Sequence, residues 1–176
     1  DHANPNEEEA SRNLDMVALI IQDRATHWLQ AYACGRKAKY DTKMCFQRFL
    51  GPQTNAKHAY TDNSPELISA LKELGIPHDT SRPYRPQTNG VAERAVRRVK
   101  EGTSCVLYQS GFSEEWWPWA MAAYCFLRNI TDLMANGKTP FENRFGKPSK
   151  APKIPFGAKI WYLPASNKDK QRVHKY

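Results

Sequence analysis

Long apolar runs are absent from this sequence of 176 residues. No stretch approaches the roughly 18 consecutive apolar residues of a membrane-spanning helix, so no membrane partner is predicted. The opening stretch, DHANPNEEEASRN, lacks the apolar core of a signal peptide, and Asp1 is interpreted as an internal residue of a longer chain.

Cysteine is scarce and scattered. Cys34, Cys45, Cys105 and Cys125 form no C-x-x-C pair, and no H-x-x-x-H pattern accompanies them. Their spacing argues against a zinc finger or a zinc knuckle. Isolated cysteines of this kind predict reduced, mostly buried thiols and an intracellular protein.

Charge is plentiful, with a net value of +8, but it is unevenly distributed. Residues 1–15 carry a net charge of −4, whereas residues 136–176 carry ten lysines and arginines against two acids, a net +8. Such segregation favours a polyanionic partner, although an ordinary solvated basic surface would have the same composition.

The hydrophobic pattern predicts an α/β fold. A continuous apolar run over 16–23 predicts a buried strand, and loose alternation over 27–33 predicts its hairpin partner. Short strands then alternate with helices, as in α/β folds. Helices are predicted at 38–50, 65–74, 90–109 and 114–134, and further strands at 57–61, 76–80 and 158–163. The inward side of the third helix is predicted to consist of Ala92, Val96, Val99, Val106 and Leu107.

Two acidic residues have positions that suit metal chemistry. Asp62, in the sequence TDN, ends a predicted strand, and Glu93, in GVAER, falls in the first turn of a predicted long helix. Hard cations such as Mg²⁺ take oxygen ligands, and two ions about 4 Å apart can activate an attacking oxygen and stabilise a leaving one. A turn at Asp62-Asn63 and a dipole-favoured helix residue at Glu93 are the alternatives.

The stretch from TDN to GVAER resembles the integrase catalytic signature of long-terminal-repeat retrotransposons, especially copia-like elements. The matching pieces are TDN, GIPH, SRPYRPQ and NGVAER, with weaker matches in ALIIQDRATHWLQAY, KTPFENRFGKP and PFGAKIWYLP. The resemblance implies a ribonuclease H-like fold: a mixed central sheet flanked by helices, here with its first strand largely truncated. It also implies a catalytic core over 1–135 and a basic C-terminal extension over 136–176 that closes the core.

The resemblance further implies a D,D,E triad that binds Mg²⁺ or Mn²⁺ and performs DNA integration. Asp62 matches the second acid, Glu93 matches the third, and Asp1 is the choice for the first. The expected partners are element and target DNA and further copies of the chain, and an active integrase is expected in the nucleus. Only 30 residues separate Asp62 from Glu93, fewer than in the family pattern. A decayed or domesticated domain that binds nucleic acid or a partner without catalysis therefore stays open. A cut-and-paste transposase on the same fold is a separate alternative, against which the block PYRPQTNGVAER favours an integrase.

Basic and polar residues around Glu93 are candidates for DNA contact. Long cationic side chains on the helix could hold phosphates, although pairing of Glu93 with Arg97 on the helix surface is the alternative. The loop before the helix could position a DNA strand, although Asn89 could simply cap the helix. The candidates are Gln87, Asn89, Arg94, Arg97, Arg98 and Lys100. The tryptophans at 116, 117 and 119 favour a core or an oligomer surface over a base-stacking platform.

Overall fold

The computed structural model describes residues 2–3, 11–52, 54–81 and 90–161. Strands and helices alternate in the first half, and helices fill the second half, as the hydrophobic pattern predicts. The strands are β1 (His2–Ala3), β2 (Val17–Gln22), β3 (Leu29–Cys34), β4 (Ala59–Thr61) and β5 (His78–Thr80). The helices are α1 (Lys39–Leu50), α2 (Pro65–Glu73), α3 (Gly90–Ser110), α4 (Trp117–Thr131) and α5 (Pro140–Phe145), with a short 3₁₀ turn at Glu114–Trp116.

The strands form an antiparallel and a parallel pairing. β2 pairs with both β1 and β3 in antiparallel fashion, with Val17 opposite Cys34 and Gln22 opposite Leu29. β4 pairs with β5 in parallel, with Thr61 opposite Thr80. The first four residues of β2 are all buried, which explains why its sequence is continuously apolar rather than alternating.

Helices cover both faces of the β2–β3 hairpin. Alternate residues of the two strands point to opposite sides, so each side has its own core. The α1–α2 face consists of Val17, Leu19, Cys34, Cys45, Phe46, Leu67, Leu71 and Ile76. The α3–α4 face consists of Ala18, Ile20, Leu29, Ala31, Ala95, Val99, Met121 and Cys125.

The side chain of Asn129 ties helix α4 to the backbone of β3. The Asn129 amide donates to the Leu29 carbonyl at 2.7 Å, and its oxygen accepts from the Leu29 N–H at 3.0 Å. Asn129 is 1% exposed. Because the outer edge of a strand carries unpaired backbone groups, one asparagine here satisfies two of them and sets the register of α4 against the sheet.

The hydrophobic pattern did not predict the short helix α5, although the residues at its start form a capping box. Thr139 accepts from the Glu142 N–H at 3.1 Å, and the Glu142 carboxylate accepts from the Thr139 N–H at 2.8 Å, forming a capping box. From α5, Arg144 donates to the Phe49 carbonyl at 2.6 Å and stacks over the Trp28 ring. The helix thereby covers the end of α1 and the start of β3.

One structural prediction was wrong, and another was right only in part. Within residues 158–161, the described part of the predicted strand 158–163, no strand forms. Alternation gives strand propensity, but a strand also needs a partner, and Ile160 and Trp161 are exposed instead. On α3 the predicted inward residue Val99 is buried and Val96 packs against the α3–α4 face, whereas Ala92, Val106 and Leu107 are only half-buried. The other buried residues of this helix are Ala95, Gly102 and Thr103, which the pattern did not select.

The described helices also bear on membrane insertion. Within 11–52, 54–81 and 90–161, none of them combines the length and apolarity that crossing a bilayer requires.

Candidate active site

Asp62 lies directly after β4, at the C-terminal end of the parallel β4–β5 pair. The Ser81 N–H donates to the Thr61 carbonyl at 2.9 Å, so the end of β5 is held beside Asp62. The Asp62 carboxylate is half-buried and accepts from the Ser64 N–H at 3.3 Å, at the start of α2. The turn that the sequence offered as an alternative therefore exists, yet this contact occupies one carboxylate oxygen only.

Glu93 lies in the first turn of α3 and is exposed. Two turns of this helix are anchored by Ala95 and Val99, which pack against Ala18 and Ile20 of β2. The alternative pairing is not formed: no ion pair joins Glu93 to Arg97 or to any other residue that the structure describes. A fixed backbone thus presents a carboxylate that has no cationic partner in the described part of the chain.

The donor chemistry of these two acids fits a hard divalent cation. Both offer carboxylate oxygens, the ligand type that Mg²⁺ and Mn²⁺ prefer. Among residues 2–3, 11–52, 54–81 and 90–161, no group of three or more potential metal ligands comes together. Asp1, the predicted first acid, lies outside the described residues. Of the predicted triad, the structure therefore describes only Asp62 and Glu93.

The basic residues of α3 form an exposed row that starts next to Glu93. Arg94, Arg97, Arg98 and Lys100 are all exposed. No ion pair joins any of them to another residue in the described ranges. Spacings of three and four residues place Arg94, Arg97 and Arg98 along one side of the helix. The predicted contacts Gln87 and Asn89 lie outside the described residues.

The three tryptophans divide between two environments. Trp117 packs against the α3–α4 face. Trp116 contacts the Trp119 ring at 5.1 Å between centroids, contacts Phe112 at the same distance, and lies under the Arg12 guanidinium. Trp119 is 38% exposed. The two outer tryptophans thus belong to a partly exposed aromatic cluster on the surface.

Two positioning residues had no sequence signal of their own. Asn129 holds α4 against β3, and the neighbouring Arg128 is buried, with its guanidinium 3.3 Å from the Asp132 carboxylate and donating to the His27 carbonyl. Burial lowers the pKa of Arg128, although it stays a cation. The sequence shows Arg128 and Asn129 as a polar pair within an apolar helix. It does not show that Asn129 binds Leu29, which lies 100 residues away along the chain.

Pol polyproteins of a plant transposon and of a retrovirus are among the curated relatives of this chain. The chain is 28% identical over 143 residues to the retrovirus-related Pol polyprotein from transposon RE2 of Arabidopsis thaliana, covering 77% of this chain and 10% of that protein. It is 30% identical over 140 residues to the Pol polyprotein of radiation murine leukemia virus, covering 74% and 23%. The chain therefore spans only a small part of the curated relatives it matches. No protein-family model matches it.

Solved structures share the fold. The catalytic core domain of BIV integrase superposes with a TM-score of 0.59 at 22% identity, over 81% of this chain and 88% of that one. A simian T-cell lymphotropic virus intasome, in complex with the PP2A regulatory subunit B56 gamma, superposes with a TM-score of 0.64 at 18% identity, over 95% and 58%. At these identities the likeness concerns the fold: a mixed α/β core of the ribonuclease H-like kind.

Proposed function

We propose that this chain integrates DNA. The proposal is supported by its copia-like and retroviral Pol polyprotein relatives and by the fold that it shares with the catalytic core domain of BIV integrase. The proposed reaction is metal-dependent polynucleotidyl transfer, with processing of the 3′ ends of retroelement DNA followed by strand transfer. The observation that carries the proposal is the pair of carboxylates at Asp62 and Glu93. Asp62 directly follows β4 and Glu93 lies in α3. Neither carboxylate forms an ion pair with a cation in the described part of the chain.

In this proposal Asp1, Asp62 and Glu93 hold Mg²⁺ or Mn²⁺. Divalent metal bound there would supply electrostatic stabilisation of the attacking and leaving oxygens in the transfer. The contribution of the chain is to aim its carboxylates. The parallel pairing of β4 and β5 fixes the Asp62 backbone, and the anchoring of α3 on β2 fixes that of Glu93.

The exposed cations of α3 are proposed to bind DNA phosphates beside the acids. Cations without intramolecular partners keep their full attraction for phosphate, since no carboxylate competes for them. The residues proposed to contact phosphates are Arg94, Arg97, Arg98 and Lys100. Those proposed to position the DNA strand are Gln87 and Asn89. DNA ends, target DNA and further copies of the chain are the proposed partners, and the nucleus is the proposed site of action.

A domain that binds nucleic acid or a partner without catalysis is the second candidate. The short interval of 30 residues between Asp62 and Glu93 favours it. Helix α2, which follows Asp62, has nine residues, and its Leu67 and Leu71 are 1% and 0% exposed. A short α2 that is still packed in the core need not displace Asp62, so the interval does not exclude catalysis.

Thermal melts with and without metal test the site. Mg²⁺ or Mn²⁺ should raise the Tm of the wild-type chain, because a ligand that binds only the folded state stabilises it by mass action. Asp62→Asn should abolish this rise while leaving the metal-free Tm no lower, since asparagine can still accept from the Ser64 N–H. The matched control is Asp79→Asn, an exposed aspartate on β5, which should keep the full metal response.

The opposite pattern would contradict the proposal. If Asp62 only supports its turn, Asp62→Asn lowers the metal-free Tm and leaves the metal response unchanged. If wild-type protein shows no metal-dependent shift, the non-catalytic candidate is favoured. A strand-transfer assay with Mn²⁺ on the full protein that contains this domain then separates catalysis from metal binding, with Asp62→Asn as the inactive reference.

The DNA surface has its own test. Arg97→Glu and Lys100→Glu should each weaken binding to all sequences about equally, because phosphates carry no sequence information. The slope of log affinity against log salt should fall by about 0.9 for each duplex phosphate that the variant no longer neutralises. Lys72→Glu, an exposed lysine in the last turn of α2, makes the same charge change elsewhere. If all three variants weakened DNA binding equally, the basic residues of α3 would contribute only as general surface charge.

A further inference from the structure

Two thiols face each other inside the α1–α2 face. Cys34 ends β3 and Cys45 lies in α1, and their sulfur atoms are 3.6 Å apart. The residues are 7% and 4% exposed. The other two cysteines differ from this pair: Cys125 is buried on the opposite face of the sheet, and Cys105 is exposed on α3.

The path between the two thiols is short and adjustable. A disulfide bond is about 2.05 Å long, so the sulfur atoms would have to approach by about 1.5 Å. The intervening connection includes Gly35, Arg36 and Lys37, all of which are exposed. A rotation of either thiol, together with a shift of this surface connection, would bring the two sulfur atoms within bonding distance.

The two thiols are chemically unequal. The hydrogen bond with Cys45 lowers the pKa of the Cys34 thiol against the opposing effect of burial. That same hydrogen bond, together with burial, raises the pKa of Cys45. Cys34 also ends its strand beside an exposed glycine, whereas Cys45 lies within a helix. Cys34 is therefore the thiol that ionises and is reached first, and Cys45 is placed to react with it second.

We propose that Cys34 and Cys45 form an oxidisable pair, which closes to an intramolecular disulfide when a small hydroperoxide reaches it. The Cys34 thiolate attacks one peroxide oxygen and breaks the O–O bond, which yields a sulfenic acid and hydroxide. The Cys45 sulfur then attacks the Cys34 sulfur and breaks its S–O bond, and the Cys45 proton leaves with the departing hydroxide as water. With hydrogen peroxide, two thiols lose two protons and two electrons, and one peroxide becomes two water molecules.

The disulfide would fasten α1 to β3 on the side of the sheet opposite α3. Closing a loop between residues 34 and 45 restricts the unfolded chain, so the oxidised protein should melt several degrees above the reduced protein. Glu93 and the basic row of α3 lie on elements packed against the other face, so DNA binding should change little. The inference is therefore independent of the proposed integration activity.

Peptide mapping of peroxide-treated protein tests the pair directly. The protein is oxidised with hydrogen peroxide, quenched, alkylated in denaturant and digested. The expected product is a cross-linked peptide that joins Cys34 to Cys45, with loss of two hydrogen atoms and reversal by dithiothreitol. Burial raises the pKa of Cys125 to about 12, so this thiol should stay reduced and serve as the internal control.

Variants sharpen the assignment. Cys45→Ala should leave Cys34 as a sulfenic acid that dimedone traps, and it should lose the rise in Tm on oxidation. Cys105→Ala removes the exposed thiol and should keep the cross-link. Recovery of both Cys34 and Cys45 as free thiols after Cys105 has been oxidised would overturn the proposal, as would a cross-link from Cys34 to any other cysteine. This wild-type measurement decides even if Cys45→Ala does not fold.

Discussion

The two faces of the β2–β3 hairpin are packed by different means. On the α1–α2 face the space is filled by large side chains such as Leu19, Phe46, Leu67 and Leu71. On the α3–α4 face the strands contribute Ala18 and Ala31 beside the larger Ile20 and Leu29. Helix α3 meets α4 there through Gly102, directly against the Tyr124 ring. Large side chains hold a helix through area buried, whereas small residues hold it through close approach.

This difference matches what each helix carries. Helix α2 follows Asp62 and packs against the sheet mainly through Leu67 and Leu71. Helix α3 carries Glu93 and the basic row. It approaches α4 at Gly102, where the Tyr124 ring leaves no space for a side chain. Asn129 then fixes α4 against β3. The face that would position Glu93 and DNA is thus the more closely specified of the two.

The largest effect that separates the faces should come from Leu71→Ala. Leu71 is 0% exposed at the centre of the α1–α2 face. Its truncation removes buried apolar area and leaves a cavity, so the free energy of unfolding should fall by about 2–5 kcal/mol. Urea unfolding measures the change, and Leu133→Ala, at a residue 70% exposed, should stay within about 0.5 kcal/mol of wild type. A similar destabilisation in both variants would mean that the leucines do not hold this face.

A somewhat smaller effect is expected from Asn129→Ala on the other face. Alanine would leave the Leu29 N–H and carbonyl without partners in a buried position. The expected destabilisation is about 2–3 kcal/mol, since each unsatisfied buried group costs about 1–3 kcal/mol and the strand edge can relax partly towards water. Hydrogen exchange should show faster exchange of the Leu29 amide. Asn136→Ala removes an exposed amide that donates to Asn143, and it should leave exchange at Leu29 unchanged.

Periodicity predicted the elements because each depends on local pattern. The run over 16–23 became β2, and the pattern over 90–109 became α3, within about one residue at each described end. Pro118 marks the start of α4, where its missing N–H is tolerated. Asp62 and Glu93 also lie where the pattern predicts them, after a strand and in the first turn of a helix.

The hydrophobic pattern did not predict how the helices and strands pack against one another. Hydrophobic periodicity favours large residues as the inward side of a helix, so Val106 and Leu107 were chosen on α3 and Gly102 was overlooked. A glycine is buried there because of the ring on α4, which no pattern within α3 encodes. The strand predicted at 158–163 failed in its described part for the same reason: pairing depends on a partner elsewhere in the chain.

The smallest effect, and the most informative about the α3–α4 face, should come from Gly102→Ala. A Cβ at this position would lie 2.2 Å from Cε2 and Cζ of Tyr124, far closer than atoms can approach. The helical backbone itself accepts alanine and favours it by about 1 kcal/mol. Displacing the half-buried ring should cost about 1–3 kcal/mol, so a net destabilisation of about 1 kcal/mol is expected.

A double-mutant cycle with Tyr124→Ala isolates the close approach. Without the ring, only the helix propensity of alanine remains, so Gly102→Ala should stabilise the Tyr124→Ala background by about 1 kcal/mol. Gly90→Ala, on the same helix, meets only the flexible end of Arg94 at 3.4 Å, and its effect should be the same in both backgrounds. If Gly102→Ala also changed the stability equally in the wild-type and Tyr124→Ala backgrounds, α3 would not be held by close approach to the ring. The two faces would then differ in residue size but not in how firmly they fix their helices.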